Sequence, residues 1–484
     1  MSLLGLEHIT LDRSHFSAIT ADSRQVHPGS VFLAFPGEKA DGRQFIAQAI
    51  SQGAAAVLWE REGYDWDARW ALPNQPVSGL RQQAGNIADA FYGRPSQQLW
   101  MIGVTGTNGK TSCAHWLAQA FTLLQRKTAV IGTLGNGFPG ALSAAVNTTP
   151  DPILLHGMLA DYLAQGAVAA AMEVSSHGLE QGRVHGVHFD VAVLTNLTRD
   201  HLDYHGDMHA YADAKKKLFA FEDLGHAILN HDDAFGRQLS VELAETGKHV
   251  LTYGLDSGDV RGTQLAFNES GLQMQVNTPY GNATVEAAVL GRFNAYNLLA
   301  VLATLLVSGV ELNRAVDVLG QIIAAPGRMQ QLGGKQQPLV VIDYAHTPDA
   351  LEKALASLRE QAPGRLVCVF GCGGNRDKGK RPLMAEVASS LADEVVVTSD
   401  NPRDEDPTQI IAEVVAGLKG AYQIEPDRAL AITAAINTAR AGDVVLVAGK
   451  GHEDYQEIEG GQYPFNDAQI AQQALNAWQR GGAA

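Results

Sequence analysis

The chain carries only three cysteines in 484 residues, Cys113, Cys368 and Cys372. They build neither an even disulfide framework nor a paired zinc knuckle, and they suit a reducing cytoplasm. No run reaches the roughly 18 apolar residues that a membrane-spanning helix needs. Met1 to Ser14 lacks a basic start followed by an apolar core, so no signal peptide is expected. Basic residues are the minority: 36 Lys and Arg against 52 Asp and Glu leave a net charge of −16. A sequence-independent grip on nucleic acid needs a basic surface, so nucleic acid and membrane insertion are both set aside as partners. The acidic balance itself names no partner, since it mainly aids solubility.

What remains is a globular composition, 45% hydrophobic and 18% charged, in a chain too long for one ordinary core. Two to four domains are expected. Residues 1–97 read as a small α/β domain, with Ser30 to Gly37 as a short strand closed by a turn, Phe45 to Gln52 as a helix and Ala54 to Trp59 as a second buried strand. The loops Asp22-Ser23-Arg24 and Glu38 to Arg43 stand at strand ends, where α/β folds place ligands; solvated loops are the equal alternative. Residues 98–328 alternate strand and helix as in a mostly parallel sheet, and residues 329–484 repeat that alternation after Pro326-Gly327-Arg328.

The sharpest feature is Gly103-Val104-Thr105-Gly106-Thr107-Asn108-Gly109-Lys110-Thr111-Ser112. An apolar strand precedes it and a helix-periodic stretch, Cys113 to Leu124, follows it. Strand, glycine-rich turn and helix make a phosphate cradle, with backbone N–H groups turned inward and a helix N-terminus behind them. Lys110 offers a charge to the outer phosphates and Thr111 a hydroxyl to magnesium. The usual pattern has glycine six residues before the lysine, where this chain has Val104. An ordinary strand-to-helix turn is the alternative.

Two further strands deliver polar groups. Val168 to Val174 brings Glu173 near its carboxyl end, and Val191 to Asn196 runs into Asp200-His201-Leu202-Asp203. If these strands neighbour the phosphate loop, Glu173 and His201 are magnesium candidates. Histidine is a minority ligand for that ion, and a hydrogen-bonded turn residue is the alternative for His201. In Ala214-Lys215-Lys216-Lys217-Leu218 only Lys215 shares a helical stripe with Tyr211 and Leu218, so Lys215 is the inward lysine; a buried, uncharged amine there is open to modification. Asn294 and Asn297 share one helical face and suit an adenine edge, with N-capping as the alternative for Asn294. Beyond residue 328, four strands end in polar loops: Asp343 to Pro348, Gly371 to Arg381, Ser399 to Arg403, and Gly449 to Asp454. This is the ligand edge of an open α/β domain, without the spacing of a dinucleotide fingerprint.

Taken together, Gly106-Thr107-Asn108-Gly109-Lys110-Thr111, Glu173-Val174-Ser175-Ser176-His177, Asp200-His201-Leu202-Asp203, Phe293-Asn294-Ala295-Tyr296-Asn297 and Asp343-Tyr344-Ala345-His346 resemble the Mur ligases, ATP-dependent amino-acid ligases of peptidoglycan synthesis. The resemblance covers essentially the whole chain, and its glycine arrangement includes Val104. It implies a three-domain α/β fold: an N-terminal UDP-binding domain, a central P-loop ATPase and a C-terminal Rossmann-like domain that binds the amino acid. It assigns ATP to Gly106 through Ser112, Asn294, Asn297 and Asp343. It assigns magnesium to Thr111, Glu173, His201 and a carbamylated Lys215, and catalysis to Lys110, Glu173, His201 and Lys215. The nucleotide-sugar dipeptide falls to Ala21, Ser23, Glu38, Lys39, Ala40, Asn147, Thr148, Thr149, Ser175, Gln181 and Arg183.

Within the family, Asp400-Asn401-Pro402-Arg403 resembles the signature of members that add meso-diaminopimelate to UDP-N-acetylmuramoyl-L-alanyl-D-glutamate. Arg376, Gly449 and Glu453 match other amino-acid-binding positions, with Glu453 placed to pair with a substrate ammonium. Diaminopimelate differs from lysine by one carboxylate, which a guanidinium grips through two parallel hydrogen bonds. Lysine would leave that arginine unpaired, a loss of roughly 3–5 kcal/mol where the site is buried. The expectation is an ATP-dependent ligase working through an acyl phosphate, a cytoplasmic monomer with small-molecule partners. A lysine-adding ligase, a folylpolyglutamate synthase, and a P-loop switch that hydrolyses nucleotide without any amino acid are the rivals.

Overall fold

A computed structural model of the protein describes residues 11–37, 40–268 and 271–478. The chain divides into two compact units, Met1–Asp259 with Ala303–Gly309, and Val260–Leu302 with Val310–Ala484.

The first unit opens with a four-stranded parallel sheet, β1 (Ala18–Thr20), β2 (Ser30–Ala34), β3 (Ala56–Glu60) and β4 (Asn74–Val77), in that spatial order. Both faces of β2 are buried, which is why it reads as a continuous apolar run. Val31 and Leu33 face the helix Leu80–Phe91, while Phe32 and Ala34 face a second cluster with Ile46 and Trp59. The expected helix over 45–52 is a short 3-10 turn, Gly42–Phe45, running into Ile46–Ser51.

The same unit holds a larger sheet built around β5 (Trp100–Thr105). It further contains β6 (Thr128–Gly132), β7 (Gly135–Phe138), β8 (Ala141–Ser143), β9 (Ala169–Glu173), β10 (Val191–Leu194), β11 (His226–Asn230) and β12 (His249–Gly254). Their order is β12-β11-β10-β5-β9-β6-β7-β8, with every pair parallel except β6–β7 and β7–β8, which are antiparallel. β5 lies between β9 and β10, with Val104 opposite Glu173 and Thr105 opposite Leu194. The phosphate loop, Glu173 and the Thr195-Asn196 segment therefore leave one sheet edge side by side, as the strand pattern required.

The second unit has an antiparallel meander of β13 (Val260–Asn268), β14 (Gly271–Thr278) and β15 (Gly281–Ala287). Its main sheet contains β16 (Gln330–Gly333), β17 (Leu339–Asp343), β18 (Leu366–Phe370), β19 (Glu394–Val397), β20 (Tyr422–Ile424) and β21 (Val444–Ala448), in the order β16-β17-β21-β18-β19-β20. All but β16 run parallel. Alternate residues of β18 and β21 enter two apolar layers, one on each face. The four strands whose ends carry polar loops are neighbours, so their loops crowd one carboxyl edge. A hairpin, β22 (Tyr455–Ile458) and β23 (Gly461–Pro464), follows. Among the described residues no helix is long and apolar enough to cross a membrane.

Candidate active site

The phosphate loop leaves β5 at Gly106, whose φ of +145° favours glycine and where a Cβ would overlap Thr195 Oγ1. Gly109, at φ +88°, turns the chain into the helix Lys110–Leu123. Asn196 braces the loop: its Oδ1 accepts from Asn108 N at 3.0 Å and its backbone carbonyl from Thr107 N at 2.9 Å. Lys110 Nζ donates to the carbonyls of Gly106 and Thr107 at 2.8 and 2.9 Å. Thr111 and Ser112 are buried behind it.

Lys215 projects inward from the helix Met208–Lys216, 1% exposed, while its neighbours 216 and 217 face solvent. Its Nζ donates to Gly106 O at 2.9 Å and lies 4.4 Å from the centre of the Tyr211 ring. Burial, then the charge of Lys110, push its pKa well below that of an ordinary lysine. Tyr211 is in turn tied to the loop through Thr107 Oγ1 at 3.2 Å.

Glu173, also 1% exposed, reaches the helix Lys110–Leu123 from β9. Its Oε2 accepts from Thr111 Oγ1 at 2.9 Å and from Thr133 Oγ1 at 3.3 Å, and its Oε1 from Thr133 N at 2.7 Å. A hydroxyl and a buried carboxylate side by side next to a phosphate loop are the oxygen donors magnesium prefers. Among the described residues no three His, Cys, Asp or Glu side chains converge to hold a metal by themselves. His201 sits instead in an aromatic cluster, 4.9 Å from the His177 ring and 6.1 Å from Tyr211, with Asp200 3.6 Å from its Nε2. Its φ of +52° fixes that placement. Burial lowers its pKa, Lys110 and Lys215 add to the effect, and Asp200 opposes it.

A cavity of about 1120 Å³ in the first unit is lined by Ala21, Ser23, Ala40, Gln181 and Arg183 together. Arg24, Gln48, Arg81 and Asp161 line it as well. Arg81 and Gln48 lie on helices, where single exposed polar residues give no sequence signal. Ser23 Oγ donates to Gln48 Oε1 at 3.3 Å. Glu38 and Lys39 lie outside the described residues. Asn147 is exposed and does not line this cavity, nor do Thr148, Thr149 and Ser175. The last three lead from it to the carboxylate. Arg183 Nη1 donates to Thr149 O at 2.8 Å, Thr149 Oγ1 to Glu173 O at 3.0 Å, and Ser175 N to Thr149 Oγ1 at 2.9 Å. Thr148 Oγ1 meets Thr133 Oγ1 at 3.1 Å.

In the second unit, Arg403 is 20% exposed and already partnered. Its Nε donates to Glu457 Oε2 at 2.9 Å and its Nη1 to Gly374 O at 2.8 Å, two of the five N–H groups of the guanidinium. This corrects the expectation of a guanidinium left unpaired: within the fold Arg403 has Glu457 as its partner. Glu453 is likewise matched within the chain. Its Oε2 accepts from the buried Lys450 Nζ at 3.0 Å and from Asn401 Nδ2 at 2.8 Å. Asn401 Oδ1 accepts from Lys450 Nζ at 2.8 Å and Glu457 N at 3.1 Å, so both cation–carboxylate pairs hang on one asparagine. Gly449, φ +120°, leaves room for Asp400, which a Cβ would meet at 2.5 Å. Pro402 is buried and Arg376 exposed. Glu457 escaped the motif reading because it comes from the hairpin after the Gly449–Asp454 loop and only folding brings it to the turn at 400–403; Lys450 lies in that loop, but its pairing with Asn401 gives no local signal.

Asn294 and Asn297 are buried on one face of the helix Arg292–Val307. Asn294 Nδ2 donates to Leu290 O at 2.7 Å and its Oδ1 accepts from Asn297 Nδ2 at 2.9 Å, so Asn294 anchors the helix start by its side chain. Asp343 accepts from the backbone of Met329 and Ala345 at 2.8 and 2.9 Å; burial raises its pKa, and Arg328 counters this.

Three family descriptions match the sequence: "Mur ligase family, catalytic domain" over residues 15–92, "Mur ligase middle domain" over 104–305, and "Mur ligase, glutamate ligase domain" over 327–451. A protein of Chromobacterium violaceum named UDP-N-acetylmuramoyl-L-alanyl-D-glutamate--2,6-diaminopimelate ligase is 58% identical over 464 residues, 95% of this chain and 94% of the relative. One of the same name from Pseudomonas aeruginosa is 51% identical over 95% of each chain. A solved structure of a protein so named superposes with a TM-score of 0.72 at 39% identity, covering 96% of this chain and 95% of the other.

Proposed function

The chain belongs to the Mur ligase family, and we propose that it joins meso-diaminopimelate to UDP-N-acetylmuramoyl-L-alanyl-D-glutamate, forming ADP and phosphate from ATP. The observation that carries this is full-length similarity, 58% over 95% of the chain, to a relative of that name. The cluster around Arg403 supports the choice of amino acid, because the guanidinium N–H groups beyond those given to Glu457 and Gly374 suit the distal carboxylate that lysine lacks.

The side-chain carboxylate of the D-glutamyl residue attacks the γ-phosphorus of ATP, ADP departs, and an acyl phosphate forms. The amine of diaminopimelate then attacks the acyl carbon and phosphate leaves. An amine does not displace hydroxide from a carboxylate at useful rates, which is why a triphosphate is consumed. The chain contributes position and charge. Gly106 through Ser112 cradle the phosphates, and Lys110 turns from its loop carbonyls to the transferring phosphoryl. Magnesium, when bound, would be held by Thr111 and Glu173 and would supply charge neutralisation there. A carbamylated Lys215 would offer an anion beside Gly106, and His201 is the proposed further magnesium contact. Asn294, Asn297 and Asp343 are the proposed nucleotide contacts of the second unit.

The cavity with Ser23, Gln181 and Arg183 takes the UDP-sugar dipeptide, and Thr148, Thr149 and Ser175 lead from it toward Glu173. Arg376, Asp400 to Arg403, Gly449 and Glu453 select the amino acid. We place the enzyme in the cytoplasm as a monomer. Mass spectrometry of the product formed from ATP, the UDP-muramyl dipeptide and equimolar diaminopimelate and lysine tests the reading. A diaminopimelate adduct with stoichiometric ADP is expected; a lysine adduct, or ADP without any adduct, overturns it.

A further inference from the structure

Arg381, in the first turn of the helix Lys380–Leu391, is fully buried and joins no residue assigned to substrate so far. Its Nη1 donates to Glu405 Oε2 at 3.0 Å and Glu413 Oε2 at 2.6 Å. Its Nη2 donates to Glu405 Oε1 at 3.0 Å and Gly373 O at 3.1 Å. Glu405 Oε1 also accepts from Asn375 N at 2.6 Å, and Lys378 Nζ lies 3.1 Å from Glu405 Oε2. The bond from Arg381 is the main reason the Glu405 carboxyl is held down to about 2.

Apart from Arg381 and Glu413, which lie on helices, these groups belong to two loops. One, residues 371–379, carries Arg376; the other, residues 400–405, carries Arg403. Around the Arg381–Glu405 fork the loops are stitched further. Gly374 N donates to Asn401 O at 2.9 Å and Arg403 Nη1 to Gly374 O at 2.8 Å. Asp404 N donates to Asn375 Oδ1 at 3.2 Å, and a Cβ on Gly374 would overlap Pro402 O. A buried guanidinium between carboxylates is a poor way to gain stability, since apolar packing of similar volume does as well or better. What the fork supplies is planar, two-pronged geometry.

We propose that Arg381 and Glu405 form a clamp that sets the distance between the Arg376 loop and the Arg403 turn, and so act as positioning residues for amino-acid selection. This rests on the reading of Arg376 and Asp400 to Arg403 as the amino-acid site. Glu413 separates the clamp from plain stability. It reaches the same guanidinium from the helix Pro407–Val415 and otherwise meets only Lys378, at 4.0 Å, among its ion-pair partners within the described residues.

The test compares Glu405→Gln, Glu413→Gln and Arg381→Lys by thermal melting and by kcat and KM for diaminopimelate and ATP. Glu405→Gln and Arg381→Lys are expected to raise the amino-acid KM about tenfold, with kcat within about threefold and the ATP KM unchanged. Glu413→Gln is expected to lower the melting temperature without moving that KM. Equal KM changes for Glu405→Gln and Glu413→Gln overturn the clamp, as does an unchanged KM in folded Glu405→Gln. Should Glu405→Gln not fold, the KM of Arg381→Lys decides in the same way. Failure of the functional reading looks different: the parent enzyme then makes no diaminopimelate adduct, and the KM comparison is made with the amino acid it does ligate.

Discussion

The ammonium groups of Lys110 and Lys215 meet on one acceptor, their Nζ atoms lying 2.8 and 2.9 Å from the carbonyl oxygen of Gly106. Two full charges this close in a buried setting oppose each other, which adds to the effect of burial in lowering the pKa of the deeper one. Lys215 is that group, its pKa lowered first by burial and then by Lys110. Between the lowered value and the ordinary 10.5, the unfolded chain binds a proton that the folded chain does not. Stability therefore rises with pH across that window. Lys215→Met removes the effect. Its melting temperature is expected to exceed that of the parent at neutral pH, and the gap to shrink as pH climbs toward 10.5. Parallel thermal unfolding in matched buffers reads this directly, and the variant is expected to lose ligase activity.

Gly132 has an ordinary backbone conformation, so what it contributes is space. An added Cβ would overlap Glu173 Oε1, the atom that accepts from Thr133 N. Gly132→Ala should displace the carboxylate and break its contact with Thr111 Oγ1. A misplacement of this size next to the reacting groups is expected to lower kcat by about 10²-fold while the protein stays folded. Phosphate release in the presence of all three substrates, beside a melting curve, is the measurement. A kcat equal to that of the parent would mean that Glu173 is not needed where it stands.

Arg403 has N–H groups beyond the Nε that Glu457 holds. Arg403→Lys keeps a cation for Glu457 and removes the fork. The expected result is a fall of about 10–100-fold in kcat/KM for diaminopimelate, the worth of one charge-assisted pair of hydrogen bonds, with little change for lysine. Competition assays with both amino acids check the ratio. Had Arg403 been unpartnered in the fold, a larger loss would be due, because a bare buried charge costs more than a lost ligand contact.

Legibility in the sequence followed chain locality. The phosphate loop, Glu173 and the inward Lys215 were readable because a strand end or a helical stripe decides where such residues point; Tyr211 and Leu218 are buried beside Lys215, as the stripe demands. The open α/β character of the last domain was readable from four strands with polar ends, whereas their order in the sheet was not. The partners of the charged residues were not. Glu457 reaches Arg403 from a hairpin 54 positions on, and Lys450 meets Asn401 across 49. No periodicity encodes such pairings, which depend on strand order and on the twist that brings loops of β18, β19 and β21 together. The anchoring of Asn294 on Leu290 O, four residues away, is local by contrast; it differs from the N-cap alternative in that the amide donates to a carbonyl instead of accepting from an N–H.

Arg428 and Asp467 extend this point to stability. Both are buried; Nε and Nη2 of Arg428 each donate to the carboxylate at 2.7 Å, and Nη2 also donates to Ala448 O at 3.0 Å. Nη1 reaches Ser399 O at 3.2 Å, so one side chain ties the helix Arg428–Thr438 to the ends of β19 and β21 and to the helix Asp467–Ala477. Removing one partner leaves a buried charge without compensation. Arg428→Met is expected to destabilise the protein by about 3–5 kcal/mol. The double variant Arg428→Met with Asp467→Leu removes both charges and should regain much of that loss, because an apolar pair of similar volume packs there without desolvating an ion. Denaturant unfolding of the two single variants and the double variant supplies the cycle. Additive losses would show that the two side chains act independently, whereas recovery in the double variant identifies the uncompensated charge as the source of the cost.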